Sequence, residues 1–173
     1  MPTFTTRPLV PAPDAVAGLS ELLIETVALG GSVGFMHPVS LESAQRFWGD
    51  CLEAAAQGRR LVLGAFDGEE LVGTVSLVLD LSPNQPHRAD VVKLMTRVSH
   101  RGRGVARQLM LALEDEAEAR GRSLLVLDTA TDGGAAGFYE GLGYSLTGEI
   151  PDYALKPHGG LTGTLIYWKR LRK

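Results

Sequence analysis

Arg101-Gly102-Arg103-Gly104-Val105-Ala106 is a glycine-rich turn that joins a predicted strand to a predicted helix. The segment before it, Ala89 to Val98, is rich in apolar and β-branched residues, which favour a strand. After it, apolar residues from Val105 to Ala117 recur at the spacing of one helical face. A helix that begins here presents unpaired backbone N–H groups, and glycine allows an anion to approach them closely. The stretch therefore predicts a binding site for a phosphorylated ligand.

Two common phosphate-binding motifs do not fit this turn. A nucleoside triphosphate loop ends in Gly-Lys-Ser/Thr, whereas Gly104 is followed by Val105 and Ala106. A dinucleotide fingerprint has a third glycine at the position that Arg107 occupies. What remains is the pattern Arg101-x-x-Gly104-x-Ala106, which indicates another class of phosphorylated ligand.

The composition is that of one globular domain, residues 1–173, with 45% hydrophobic and 21% charged residues. The longest apolar runs are too short to cross a bilayer, and Met1 to Phe4 lacks the features of a secretion signal. We therefore expect a cytoplasmic protein with no membrane partner. The single cysteine, Cys51, excludes an intrachain disulfide and a cysteine-rich zinc site. We expect a buried, inert thiol there, and no metal site.

Predicted strands and helices alternate along the chain, which indicates an α/β unit. Strands are predicted at 5–10, 61–66, 71–79, 89–98, 123–127, 144–148 and 162–168, and helices at about 14–29, 40–57, 104–120 and 135–142. Asp14 and Ser40 are the predicted caps of the first two helices. The helix after Gly104 connects two strands, so those strands are predicted to be parallel neighbours with a right-handed crossover.

A second motif, Ala135-x-x-Phe138-Tyr139-x-x-x-Gly143-Tyr144, lies downstream of the glycine turn. Together the two motifs resemble the GNAT superfamily of acetyl-CoA-dependent N-acetyltransferases, over about residues 60 to 170. The stretches 35–38, 84–90 and 150–155 resemble more narrowly the acetyltransferases that include tabtoxin-resistance proteins. The resemblance implies the GNAT fold, an α/β (α+β) fold whose mixed, mostly antiparallel sheet has a splayed parallel strand pair and flanking helices.

The resemblance also implies how acetyl-CoA would bind. The pyrophosphate would contact backbone N–H groups from Arg101 to Ala106, with positive charge added by nearby arginines. The pantetheine arm would lie like an extra strand along Met95 to Val98, and an N–H near Met95 would polarise the thioester carbonyl. The expected cofactor-binding residues are Met95, Thr96, Arg97, Val98, Arg101, Gly102, Arg103, Gly104, Val105, Ala106, Arg107 and Phe138.

The family reaction is direct attack of an amine on the thioester, without a covalent enzyme intermediate. By its place in the second motif, Tyr139 matches the family tyrosine that serves the leaving thiolate. An alkylamine is mostly protonated at neutral pH and needs a base. The candidate bases are Asp90, Asp128 and His87. Because open α/β sheets bind ligands at the carboxyl ends of their strands, geometry favours Asp128.

The expected acceptor is the amine of a small molecule, with an amino-acid-like toxin or antibiotic as one candidate. Its pocket is predicted to be bordered by residues 30–38, 83–90 and 151–155. Protein lysines, N-terminal amines and acyl groups larger than acetyl remain open, and a homodimer is common in the family. The alternative function is a non-catalytic module that senses acyl-CoA.

A third hypothesis is nucleic-acid binding through a basic cluster between residues 97 and 107. The cluster comprises Arg97, His100, Arg101, Arg103 and Arg107. The net charge of −3 and the lack of interleaved aromatic residues argue against a nucleic-acid partner.

Overall fold

The computed structural model describes residues 4–172, which form a seven-stranded sheet flanked by four α-helices. The strands are β1 (Thr5–Pro8), β2 (Arg60–Asp67), β3 (Glu70–Val78), β4 (Arg88–Thr96), β5 (Leu124–Ala130), β6 (Ser145–Leu155) and β7 (Leu161–Arg170). The helices are α1 (Pro13–Ala28), α2 (Leu41–Ala56), α3 (Val105–Ala119) and α4 (Ala136–Gly141), with a 3₁₀ turn at Val98–His100.

The strand order across the sheet is β1-β2-β3-β4-β5-β7-β6. Strands β4 and β5 are parallel, and the other neighbouring pairs are antiparallel. The connection between β4 and β5 contains α3, as the glycine turn predicts. The mixed, mostly antiparallel sheet with one parallel pair is therefore confirmed.

Two apolar cores cover the two faces of the sheet. On one face α3 packs through Val105, Leu109 and Leu113 onto the central strands. On the other face α1 and α2 pack through a second cluster that includes Leu23 and Trp48. Cys51 belongs to this second core and is buried, and burial raises the pKa of its thiol, as an inert cysteine requires.

A mostly buried ion pair connects α3 to strand β7. Lys169 Nζ on β7 donates hydrogen bonds of 2.7 Å to Glu114 Oε2 on α3 and to the Leu142 carbonyl after α4. The other carboxylate oxygen of Glu114 is buried without a partner. Lys169 thus joins three elements next to the second sequence motif.

Several predicted strand ends shift by a few residues in the structure, and the cap of α1 and the end of β6 also differ. Helix α1 begins at Pro13 and its N-cap is Ala12, so Asp14 lies in the first turn and is not the cap. Proline is well suited to this first position because its missing N–H would be unpaired there. Strand β6 extends to Leu155 rather than ending at Gly148, because β7 pairs with it that far. The Ser40 cap is confirmed, since its Oγ accepts a 3.1 Å hydrogen bond from the Ser43 N–H.

Among residues 4–172, no helix combines the length and the apolar character needed to cross a membrane.

Candidate active site

The parallel strands β4 and β5 separate after three register positions. Their pairs are Arg88↔Leu124, Ala89↔Leu125 and Asp90↔Val126. Beyond that point β4 continues against β3 and β5 continues against β7. A cleft of about 810 Å³ opens between the separated strands, which is large enough for a cofactor-sized ligand.

A β-bulge shapes the β4 side of the cleft. Val92 pairs with Ser76 and Met95 pairs with Thr74, so β4 contains one more residue than β3 between these pairs. Lys93 lies in the bulge with φ of 59°, a conformation that non-glycine residues rarely adopt. Bulges of this kind redirect side chains and occur often next to active sites. Lys93, Leu94 and Met95 all line the cleft.

The glycine turn lies at the edge of the same cleft. Gly104, with φ of 87°, is the N-cap of α3, and its carbonyl accepts a 3.0 Å hydrogen bond from the Gln108 N–H. The amides of the first helical turn, 105–107, have no acceptor within the helix. A Cβ added to Gly102 or Gly104 would meet no atom within 4 Å, so the space outside the turn is open. Arg101 and Ala106 line the cleft itself.

Tyr139 of α4 lies in the cleft wall with only 7% of its surface exposed. Its ring packs against those of Phe138, Tyr144 and Tyr167. Burial, with a smaller contribution from the negative charge of Asp128, raises the pKa of Tyr139 to about 12. The phenol therefore stays protonated at neutral pH and can donate a proton or a hydrogen bond.

The two candidate carboxylates occupy different places. Asp128 of β5 lines the cleft beyond the point where the strands separate, and Thr164 Oγ1 donates a 2.8 Å hydrogen bond to its Oδ2. Asp90 lies in the segment where β4 and β5 are still paired, forms an ion pair with Arg88 and lies outside the cleft lining. His87 lies still further from the separated ends, just before β4. Of these three predicted candidates, Asp128 is the one that lines the cleft.

The arginines around the glycine turn do not all face the cleft. Arg103 lies 3.5 Å from the Asp67 carboxylate, and its guanidinium is 5.3 Å from the Phe4 ring centroid. Arg97 donates to the Leu71 carbonyl at 2.7 Å and pairs with two glutamates of α1 and β3. Arg97 and Arg103, two residues of the basic cluster, are thus paired with carboxylates of this chain.

The predicted cofactor residues divide into three groups. Those that line the cleft are Met95, Thr96, Arg101, Ala106 and Phe138. Gly102, Arg103, Gly104, Val105 and Arg107 form the adjoining turn and helix start. Arg97 and Val98 follow β4 and bond elsewhere, the Arg97 N–H to the Val72 carbonyl and the Val98 N–H to the Glu25 carboxylate. The predicted contact of these two residues with a cofactor therefore has no support from their placement.

Part of the cleft wall is formed by the loop after α1 and by the end of β6. Residues 29–35 and 153–156 line the cleft. Beside them, the His37 N–H donates to the Pro157 carbonyl at 2.9 Å, and His158 Nε2 lies 2.9 Å from the Ala28 carbonyl. None of residues 83–90, the predicted third border, lines the cleft. This segment leads into and includes the end of β4 that is still paired with β5.

Lys93 lines the cleft but was not among the residues predicted from the sequence. It interrupts the apolar run Val91-Val92-Lys93-Leu94-Met95, and a lysine inside a predicted central strand is a signal of a special site. Asp132 is a second cleft residue that was not among the predicted site residues. It lines the cleft, accepts a 3.0 Å hydrogen bond from Thr162 and pairs with Lys156 at 3.4 Å.

Comparison with known proteins agrees with this geometry. Residues 32–144 match the acetyltransferase (GNAT) family, which is more than half of the chain. The chain is 33% identical over 112 residues to an uncharacterized N-acetyltransferase from the hisH-hisA intergenic region of Azospirillum brasilense. This match covers 64% of the chain and 65% of that relative, slightly less than two thirds of its length.

Solved structures share the fold at low identity. The YncA protein of Salmonella typhimurium, whose structure contains its cofactor acetyl-CoA, superposes with a TM-score of 0.81 at 19% identity, over 99% of this chain and 95% of that one. A ribosomal-protein-alanine N-acetyltransferase from Brucella melitensis gives a TM-score of 0.80 at 19% identity, over 96% and 99%. The predicted GNAT fold is confirmed, while the narrower likeness to tabtoxin-resistance proteins stays a prediction. On the family match, this chain belongs to the acetyltransferase (GNAT) family.

Proposed function

We propose that this protein transfers an acetyl group from acetyl-CoA to the amine of a small molecule, by direct attack within a ternary complex. The observation that carries the proposal is the separation of β4 and β5, which opens the cleft between the glycine turn and Tyr139. Members of this family take their acyl group from acetyl-CoA, which supplies it as an activated thioester. An amino-acid-like toxin or antibiotic remains one candidate acceptor.

The residues present fit this cosubstrate at both of its ends. At the glycine turn, unpaired amides of the first turn of α3 face open space, and Arg101 adds positive charge at the cleft. Both features favour a diphosphate group. Along β4, the edge that β5 no longer pairs with offers backbone groups from Val91 to Thr96 for an amide-bearing arm. The extended arm would lie there as an additional strand.

Two side chains, Asp128 and Tyr139, take part in proton transfer. As the C–N bond forms and the C–S bond breaks, Asp128 accepts the proton that the amine loses, directly or through a water. Tyr139 donates a proton or a hydrogen bond to the departing sulfur, because the raised pKa keeps its hydroxyl protonated. A backbone N–H near Met95, next to the Lys93 bulge, would stabilise negative charge on the carbonyl oxygen.

The alternative, a non-catalytic acyl-CoA sensor, shares the cosubstrate but not the chemistry. Its cleft would need only the glycine turn and the β4 edge. Tyr139 and Asp128 both line this cleft, and the charge of one acts on the pKa of the other. An acid and a base in one cleft are needed to transfer an acyl group but not to sense acyl-CoA. Their presence together therefore favours the transferase.

The test is incubation with acetyl-CoA and a panel of small amines, with release of free thiol as the readout. Calorimetry with CoA and with acetyl-CoA measures binding separately. Binding together with amine-dependent thiol release is the expected result. Binding without turnover across the panel would instead support the sensor, and absence of binding would refute both functions.

A further inference from the structure

Lys93 places an ammonium group without a carboxylate partner in the part of the cleft lined by residues 29–35 and 153–156, here called the acceptor half. Its Nζ lies 3.3 Å from the position that a Cβ on Gly34 would occupy, so the ammonium contacts the 29–35 loop. Within residues 4–172, Lys93 forms no ion pair. A partly buried cation normally has such a partner, because desolvation of an unpaired charge is costly.

Arg60 is a second cation near Lys93, and it too forms no ion pair among residues 4–172. The guanidinium of Arg60 on β2 is 6.0 Å from the Phe47 ring centroid, and Lys93 Nζ is 5.6 Å from the same centroid. Arg60 Nε and one Nη are buried and have no hydrogen-bond acceptor among the described residues. The aromatic ring attracts both cations but does not cancel their mutual repulsion.

The charges of the two residues act on each other. Burial is the main cause that lowers the pKa of Lys93, followed by the positive charge of Arg60, while Asp128 opposes the shift with a smaller effect. Burial also lowers the pKa of Arg60. A bound anion next to Lys93 would relieve both the desolvation and the repulsion.

The same cleft also contains the complementary charge. Asp128 lines the cleft, and the other carboxylate there, Asp132, is already paired with Lys156. Among residues 4–172, the cleft therefore contains a cation without a carboxylate partner, Lys93, and a carboxylate without a cationic partner, Asp128. A ligand with one anionic and one amino group matches both.

We propose that Lys93, supported by Arg60, binds an anionic group of the acceptor, so that the acceptor is a zwitterionic amine such as an α-amino acid. The carboxylate or other oxyanion lies at Lys93, and the amine lies towards Asp128. This inference rests on the proposed acetyltransferase function and specifies its substrate class. A simple alkylamine or a lysine within a peptide lacks the anion that the site requires.

The test compares each of the twenty standard L-amino acids with its own carboxamide, which has a similar shape but no carboxylate. Rates are compared at pH values where equal fractions of the two α-amines are deprotonated. A hydrogen bond between charged groups leads us to expect roughly 10- to 100-fold higher kcat/KM for the acid in at least one pair. Lys93→Met should abolish this preference and leave the affinity for CoA unchanged, whereas Lys93→Arg should keep part of it.

Arg46→Met is the matched control. Arg46 is an exposed residue of α2 that pairs with Glu42, and it lies outside the cleft, so loss of its charge should leave the preference intact. Equal rates for acid and carboxamide, a preference that survives in Lys93→Met, or no acetylation of any acid by a protein that binds acetyl-CoA would each overturn the inference. Acetylation of carboxamides without preference would overturn it and leave the acetyltransferase function standing. Failure to bind acetyl-CoA would instead refute the proposed function.

Discussion

Thr164 Oγ1 donates a 2.8 Å hydrogen bond to Asp128 Oδ2, across the register between β7 and β5. Thr164 is buried, with 2% of its surface exposed, so the donor of this bond is held in the core of the sheet. It fixes one oxygen of Asp128 and leaves the other free to receive a proton. The position of the proposed base thus depends on a strand that lies outside the two sequence motifs.

Thr164→Val removes the hydroxyl and keeps the side-chain volume. We expect kcat to fall about tenfold, because one hydrogen bond to a charged group is lost and Asp128 is no longer held in place. Thr164→Ser keeps the bond and should stay near the wild-type rate. Steady-state kinetics with saturating acetyl-CoA measures the effect. An unchanged kcat in the valine variant would show that this bond does not orient the base.

Tyr139→Phe should lower kcat by about 10²- to 10⁴-fold, the usual contribution of a general acid, with little change in the affinity for CoA. The reason is that the hydroxyl acts on the leaving sulfur, whereas the ring packing with Phe138 and Tyr167 is retained. Kinetics and calorimetry on the same preparation separate the two quantities. A parallel loss of turnover and binding would argue against the acid role.

The pH–rate profile provides an independent check on Tyr139. Its pKa of about 12 means that the hydroxyl stays protonated below that pH, so its ionisation cannot reduce the rate between pH 6 and pH 10. The rate should rise with pH as the amine loses its proton, and then level off. A fall in wild-type rate near pH 10 that disappears in Tyr139→Phe would contradict the raised pKa.

Gly104→Trp should abolish CoA binding, since the bulky ring would fill the open space outside the first turn of α3. Gly121→Trp is the matched control, because Gly121 follows the other end of α3, has φ of 72° and also borders open space. Both variants carry similar backbone strain. Calorimetry should therefore show binding in the Gly121 variant and none in the Gly104 variant. Equal loss in both would indicate strain rather than a blocked phosphate site.

Lys169→Met should destabilise the fold by about 3 kcal/mol, because it leaves the Glu114 carboxylate buried and unpaired. Urea unfolding followed by circular dichroism measures the change. Replacing both partners, Lys169→Met with Glu114→Leu, should recover most of the loss, since no buried charge remains. If the double variant were as unstable as the single one, the ion pair would not be the cause.

The local parts of this fold could be predicted from sequence because their signals are local. The turn at Gly102 and Gly104 depends on glycine conformation, and α3 on the spacing of its apolar residues. The Ser40 cap depends on one hydroxyl next to a helix start. Each of these features is decided within a few residues of chain.

The rest depends on pairing between distant strands. The bulge at Lys93 exists because β4 has one residue more than β3 between two pairs, and neither strand indicates this alone. Asp90 and Asp128 were both reasonable bases, since the sequence does not show where β4 and β5 separate. The length of β6 likewise depends on how far β7 extends beside it. Long-range register, rather than residue type, placed these side chains.

The bonds of His37 to Pro157 and of His158 to Ala28 have a consequence for substrate access. They couple the segment after α1 to the β6–β7 hairpin, so the entrance to the acceptor half cannot widen on one side alone. A bulkier acceptor would have to displace both segments together or break the two hydrogen bonds that join them. Changes of substrate preference in this protein should therefore require paired substitutions, one on each side of the entrance.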